Sequence, residues 1–235
     1  MFLSIIIPTY NESEQILKLL GQLQELSHKN LEILVVDGGS SDDTQRLTES
    51  LGIKFISSPH KGRAKQMNYG AKQAKGDVLY FLHADTLPPL SFFLDIEEAL
   101  KGGFPIGCYR FKFDSEKKIL KVNAYFTRFD RLMCRGGDQS LYITRELFDE
   151  LGGYSEEHKV MEDYDIIIRA RKKHPFKIIP KNVLVSARKY DHNSYLRVNI
   201  ANFIVFMMFY SKMDHDKIIR FYKKMLNHHS SELKY

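Results

Sequence analysis

Three polar clusters interrupt the apolar runs of this chain: Pro8-Thr9-Tyr10-Asn11-Glu12, Asp37-Gly38-Gly39-Ser40-Ser41-Asp42 and His83-Ala84-Asp85-Thr86. Each follows a short stretch rich in Ile, Val, Leu or Phe (Phe2 to Ile7, Leu31 to Val36, Val78 to Leu82), so each is expected at the carboxyl end of a buried strand. Ligands of open α/β sheets bind at such ends. Tyr10 offers a face for a nucleobase, Thr9 and Glu12 offer hydrogen bonds to base or ribose, and Asp37 can accept from a base N–H or a ribose hydroxyl. Asp85 is suited to a divalent metal shared with phosphate oxygens. Arg63 and Lys65, opening a helical stretch, are suited to direct phosphate contacts. Each also has an ordinary alternative: Glu12 as a surface residue, Arg63 as a solvated charge, Asp85 as a cap before Pro88. Joint placement at strand ends is what points to a nucleotide.

The elements that must position these residues alternate. Between the strands, and a further one at Ile53 to Ile56, lie helical stretches at Glu12 to Ser27, Asp42 to Leu51 and Arg63 to Lys75. In the first, Ile16, Leu19, Leu20, Leu23 and Leu26 fall at helical spacing. Asp42 and Asp43 suit a helix N-terminus, and Gly76-Asp77 a helix C-terminus. Alternation of this kind predicts a parallel sheet with right-handed crossovers. After Pro88-Pro89 the pattern loosens: helices at Ser91 to Lys101, Ile119 to Met133, Arg145 to Leu151 (ending at Gly152-Gly153) and Tyr164 to Lys173, strands at Ile106 to Phe113 and Val183 to Ala187. Two helical stretches follow, near Val198 to Lys212 and Asp216 to His228. No repeat or Gly/Ser-rich linker divides the chain, which reads as one continuous domain.

With 235 residues, 43% hydrophobic and 27% charged, the chain suits one large α/β domain and excludes a disulfide miniprotein, a disordered chain and a polytopic membrane protein. Its net charge of +6 is uneven. Residues 172–235 carry 13 Lys and Arg against 4 Asp and Glu, leaving 22 against 25 before them. The excess is therefore a property of the C-terminal quarter, not a general nucleic-acid signal. Cys108 and Cys134 are too few for a zinc cluster or disulfide framework and are expected as reduced, buried thiols. The N-terminus lacks a signal-peptide pattern, and a cytoplasmic location is the default. The first strand is followed neither by a dinucleotide glycine fingerprint nor by a phosphate-binding loop, which disfavours dehydrogenases and P-loop NTPases.

The runs IIIPTYNE, LVVDGGSSDDT, KGRAKQMNYGAKQAKGDVLYFLHADT, GGDQSLYITRELFDELGGY and MEDYDIIIRAR, in this order, resemble glycosyltransferase family 2 over roughly residues 3 to 190. The resemblance implies the GT-A fold: a single Rossmann-like α/β domain over 1–190 with a mixed, mostly parallel central sheet flanked by helices, and a C-terminal helical extension over 191–235. It also implies a nucleotide-diphospho-sugar donor, a hydroxyl acceptor and inversion at the anomeric carbon. Pro8, Thr9, Tyr10, Glu12 and Asp37 match nucleoside-binding positions. His83-Ala84-Asp85 stands where the family carries Asp-x-Asp, so Asp85 is expected to bind Mg²⁺ or Mn²⁺ with the diphosphate, while His83 either ligates metal or hydrogen-bonds the ribose. Glu162-Asp163 matches the family's acidic pair, with Asp163 as general base and helix capping as the alternative; Asp138, in Gly136-Gly137-Asp138-Gln139, ranks second as base or lies in a turn beside the donor sugar. Independently of the match, inverting transfer needs one carboxylate to take the acceptor proton and cations to absorb leaving-group charge. Asp165 should project from another helix face.

Ser186-Ala187-Arg188-Lys189-Tyr190 follows the last strand where polymerising members carry Arg-Trp; without the Trp or spanning helices, a polysaccharide synthase is disfavoured. Arg188 is left between a diphosphate contact and a surface role. Val198 to Tyr210 is apolar on most faces yet shorter than the ~20 residues that span a bilayer. Packing on the domain, a homodimer seam, and contact with a membrane surface or lipid-linked acceptor beside the basic tail stay open. Ile119 to Met133, with Phe126 and Phe129, either adds to an acceptor-facing wall or is core. Two other functions compete: a non-catalytic nucleotide-sugar-binding partner protein, and a sugar nucleotidyltransferase, which would be expected to carry a glycine-rich first loop.

Overall fold

In the computed structural model the first strand, β1 (Leu3–Thr9), is buried at every position, as a strand covered on both faces must be. The structure describes residues 1–26 and 29–226. Ser27, Asn227 and His228, the predicted ends of two helices, lie outside the described residues, as do 229–235 of the basic tail.

β2 (Leu31–Asp37), β3 (Lys54–Ser57) and β4 (Val78–Phe81) pair parallel in the order β3-β2-β1-β4. Helices α1 (Ser13–Glu25), α2 (Thr44–Ser50) and α3 (Arg63–Gln73) connect them. Beyond β4 the sheet becomes mixed. β7 (Leu141–Thr144) runs antiparallel to β4 and to β6 (Ile106–Phe113), and β8 (Phe176–Val185) runs parallel to β6. The two-residue β5 (Thr86–Leu87) closes the edge against the end of β8. α4 (Phe92–Lys101), α5 (Leu120–Phe126), α6 (Arg145–Glu150) and α7 (Glu162–Ala170) follow in chain order, with α8 (Tyr195–Tyr210) and α9 (His215–Met225) at the C-terminal side.

Alternation along β1 sorts the core into two layers. Leu3, Ile5 and Ile7 pack with Ile16, Leu19, Leu23, Phe92 and Ile96, under α1 and α4. Ile6, on the other face, packs with Met67, Ala71, Leu147 and Ile166, under α3, α6 and α7. α8 and α9 attach through two smaller clusters, around Val198 with Tyr190 and around Val205 with Ile218.

Four expectations are corrected. The helix predicted for Ile119 to Met133 ends at Phe126, because the buried Arg135 takes the carbonyls of Thr127 (2.6 Å) and Phe129 (2.7 Å) that a continuing helix would use. The last strand begins at Phe176 rather than Val183. Its apolar run is broken by Pro180 and Lys181, which sit in a bulge where Tyr109 pairs Ile179 and Arg110 pairs Asn182. Cys108 is buried and unpaired with sulfur as expected, but Cys134 is only half-buried. Gly76 is not a C-cap: α3 ends at Ala74 in extended conformation. Gly76 lies so close to β1 that a Cβ would meet Ser4 Oγ at 2.5 Å and the Phe2 carbonyl at 2.7 Å. Gly76→Ala is therefore expected to lower unfolding free energy by about 1–3 kcal/mol in urea titration, the usual cost of forcing an extra methyl into a packed site.

Candidate active site

The loops after β1 and β2 are tied together by side chains that complete one another's backbone. Asp37, 4% exposed, accepts from Thr9 Oγ1 (3.2 Å), from the amides of Gly39 (2.8 Å) and Ser40 (2.7 Å), and from Ser40 Oγ. Gly39 takes φ +89°, a conformation that side chains disfavour. Asn11, itself at φ 53°, accepts from the Ser41 amide at 2.8 Å and donates its own amide to Ser40 Oγ at 2.8 Å. Asp42 accepts from the amides of Ser13 (3.0 Å) and Thr44 (3.1 Å), so it serves the starts of both α1 and α2, while Asp43 makes no side-chain cap. Gln66 Nε2 donates to the carbonyls of Thr9 (2.7 Å) and Val36 (2.8 Å), fixing α3 against both strand ends.

This framework faces a cavity of about 700 Å³. Pro8, Thr9, Tyr10, Glu12, Arg63, His83, Asp85, Asp138, Asp163 and Arg188 all line it, so residues from the strand ends, two later loops and α7 are brought to one place. Two expected site residues are placed behind its wall. Asp37 already accepts the four hydrogen bonds above, which fills its lone-pair sites. Glu162, 0% exposed, holds Arg63 Nε at 2.9 Å and accepts from Nη2 at 3.5 Å. Lys65 also stays off the cavity; it sits two residues past Arg63, on another side of α3. Its place is taken by Lys61, whose ammonium lies 5.2 Å from the centre of the Tyr10 ring. Asp165 projects elsewhere as predicted, pairing with Arg169 at 2.6 Å and with His158 at 3.7 Å.

Asp163 sits in the first turn of α7, after Met161 in the left-handed conformation at φ 64°. Its carboxyl is pushed up to about 8, chiefly by burial and then by the neighbouring Glu162, with Arg63 opposing. Its other setting is the positive end of the α7 dipole. His83 is pushed below its ordinary value by burial and by Arg63, so its ring is neutral near pH 7. Arg188, in the turn after β8, makes a bidentate pair with Glu12 (2.9 and 2.9 Å) and reaches Asp85 at 3.2 Å. β5 makes this meeting possible: Thr86 pairs with Val185, and the Ser186 amide donates to the Asp85 carbonyl at 3.1 Å.

Among the described residues, no three His, Cys, Asp or Glu side chains converge as a metal cage. Asp85, with His83 two positions before it, fits only a cation that takes most of its ligands from phosphate and water, as Mg²⁺ commonly does. Sequence reasoning missed Lys61, Gln66, Asn123 and Tyr164; their types carry no chemistry that spacing alone would flag.

The description "Glycosyl transferase family 2" matches residues 4–155, well over half of the chain. The chain belongs to glycosyltransferase family 2. It is 26% identical over 219 residues to an uncharacterized glycosyltransferase of Rickettsia felis, covering 85% of this chain and 36% of that protein. It is 37% identical over 112 residues to a dolichol-phosphate mannosyltransferase of Pyrococcus furiosus, covering 45% of this chain and 32% of that protein. The chain thus spans about a third of the length of these two curated relatives. S. aureus TarS 1–349, solved with UDP-GlcNAc, superposes with TM-score 0.68 at 18% identity, over 96% of this chain and 71% of that one. The mannosyltransferase PcManGT from Pyrobaculum calidifontis, solved with GDP-Man and Mn²⁺, gives TM-score 0.67 at 19% identity, over 93% and 64%. The fold of this family member is accordingly GT-A, with the mixed, mostly parallel sheet described above.

Arg188 braces Glu12 and Asp85 together, and its removal leaves two half-buried carboxylates without their shared cation. Arg188→Met is expected to destabilise the protein. A double-mutant cycle with Glu12→Gln, followed by urea unfolding, should give a coupling energy of about 1–3 kcal/mol.

Proposed function

We propose that the protein transfers a sugar, with inversion, from a nucleotide-diphospho-sugar to a hydroxyl acceptor, with Asp163 as the general base. The observation that carries this reading is a single buried carboxylate with a raised pKa, opening into the same cavity as the strand-end residues of β1 and β4. In the transfer, Asp163 takes the acceptor hydroxyl proton as the acceptor oxygen bonds to the anomeric carbon. The bond from that carbon to the diphosphate breaks on the opposite side, and its electron pair leaves with the nucleoside diphosphate. Tyr10 and Thr9 are the residues that receive the nucleoside; Arg63 and Lys61 offer positive charge to the phosphates. Glu162 acts as a positioning residue, holding Arg63 and raising the basicity of Asp163. A divalent cation, Mg²⁺ or Mn²⁺, bound at Asp85 would neutralise charge on the diphosphate; the Mn²⁺ complexes of structural relatives support that choice. For the donor to engage Asp85, Arg188 must exchange its 3.2 Å contact for one with the ligand.

Asp163→Asn is expected to lower the transfer rate about 10²–10⁴-fold while donor affinity stays within a few-fold, read by product release and by calorimetry. Full activity in that variant would remove Asp163 from the base role. The transfer rate should rise with pH through about 8, where Asp163 ionises. Stability should move the other way. Because the folded state binds this proton more tightly than the unfolded chain, the stability it contributes is complete below the ordinary carboxylate range and is lost as pH rises to about 8. Asp163→Asn should therefore melt above the wild type at pH 8 and close to it at pH 4, in thermal scans at both values.

The second reading, a binding protein without turnover, draws on Arg188 sitting against Asp85. A thermal-shift screen of UDP-, GDP- and dTDP-sugars with and without Mn²⁺ addresses both. The transferase reading expects one donor to stabilise the fold, more strongly with metal, and to be consumed; stabilisation with no consumption by any acceptor or by water favours the second.

A further inference from the structure

Exposed large hydrophobic side chains are not scattered over this protein. Of fifteen among the described residues, six lie between Ile119 and Met133 and five between Leu196 and Tyr210, with Met213 just beyond. On α8, Leu196, Ile200, Phe203, Met207 and Tyr210 recur every three or four residues, so they form one helix face, 46–69% exposed. Val198, Ala201 and Val205 on the opposite face are buried. α8 is thus apolar on both sides but covered on one, and residues 198–211 contain no charged residue. Ile119, Val122 and Phe126 at α5, with Phe129 and Met133 from the chain after it, are 42–60% exposed, and the Phe129 ring lies against Tyr125 and Phe126.

The two stripes flank one cavity mouth. Phe126 and Met133 from the first and Phe203 from the second line the cavity, and Asn123 Nδ2 donates to Asn199 Oδ1 at 2.9 Å, tying α5 to α8. An apolar rim of this extent on a protein surface marks an interaction site.

Charge selects the occupant. Residues 117–133 and 196–226 together hold eleven Lys and Arg against three Asp and Glu. Lys118 and Lys121 are exposed next to Tyr125, over whose ring Arg128 stacks at 3.8 Å; Lys212, Arg220 and Lys223 are exposed beyond the end of α8. A second copy would set this positive charge against its own like and would cover both cavity mouths. An anionic bilayer accepts both features at once: apolar side chains enter the acyl boundary while Lys and Arg stay with the headgroups. With 16 residues α8 is ~24 Å long, below the ~30 Å hydrocarbon core, and no described helix is long and apolar enough to cross a membrane. The helix can lie on a bilayer but cannot span it.

We propose that these two stripes dock the protein on an anionic lipid surface with the cavity mouth facing it, so that the hydroxyl acceptor arrives on a lipid-borne molecule. The docking stands on the surface alone; the acceptor class rests on the glycosyl-transfer reading. The test is sedimentation of the full chain with phosphatidylcholine vesicles, with and without phosphatidylglycerol. Binding to the anionic vesicles about tenfold stronger than to the zwitterionic ones, and weakened by salt, is expected. The double variant Ile200→Ser with Met207→Ser, at positions that do not line the cavity, should lose about tenfold of that binding while a nucleotide sugar shifts its melting temperature as in the wild type. Failure to sediment with either vesicle, or undiminished binding of the double variant, overturns the docking. So does a dimer in analytical ultracentrifugation that the double variant dissolves while vesicles do not bind. Vesicle binding without any nucleotide-sugar shift overturns the transferase reading and leaves the docking intact.

Discussion

A carboxylate without solvent must find a cation or give up its charge, and Glu162 finds Arg63, 99 residues earlier in the chain. This pair spans the seam between the parallel half of the sheet, which carries α3, and the mixed half, which carries α7. Asp163 beside it resists ionisation, first because the closed halves bury it and then because Glu162 carries a negative charge next to it, with Arg63 opposing. Separate the two halves and Asp163 becomes an ordinary carboxylate at a helix start. The basicity of the proposed catalytic residue is therefore a consequence of how the halves close on each other.

The same logic runs through the loops. Asp37 spends its carboxylate on Thr9 and the turn after β2, Asp42 on the starts of two helices, and Gln66 on two strand-end carbonyls. Buried polar groups that satisfy one another rigidify a region. Rigidity here presents Tyr10, His83 and Asp85 on a fixed cavity wall. Arg188 returns from the far end of the sheet to pair with Glu12 and Asp85, so this side of the cavity is braced by residues from three separated parts of the chain.

α8 is under a different constraint. Its inner face packs against Tyr190 and the α9 residue Ile218, through clusters much smaller than the two beside the sheet. None of the described residues covers its outer face. An apolar surface kept in water is unfavourable, and its position at a cavity mouth with a basic surround gives that surface a use.

Much of the parallel half was legible in residue order. β1, β2 and β4 are apolar runs followed by polar clusters, and α1 shows its buried face in the spacing of Ile16, Leu19 and Leu23. Strand-end placement and the family motifs together named ten side chains that line one cavity. β5 was not legible, because two residues are too few to carry a period, and β7 was not, because Leu141–Thr144 runs directly into the helix that opens at Arg145. The true start of β8 was hidden by Pro180 and Lys181, whose bulge exists only because β6 lies alongside. The early end of α5 depends on Arg135, which no local pattern announces. Sequence alone thus determined the fold class, the polar clusters at the ends of β1, β2 and β4 and the acidic pair at a helix start, since those depend on residue types close together in the chain. Only the tertiary structure decided that Asp163 opens into the cavity while Glu162 does not, that Arg188 braces Glu12 and Asp85, and which face of α8 stays uncovered. Each of those is set by a partner tens of residues or more away, and burial, charge pairing and packing are properties of the pair.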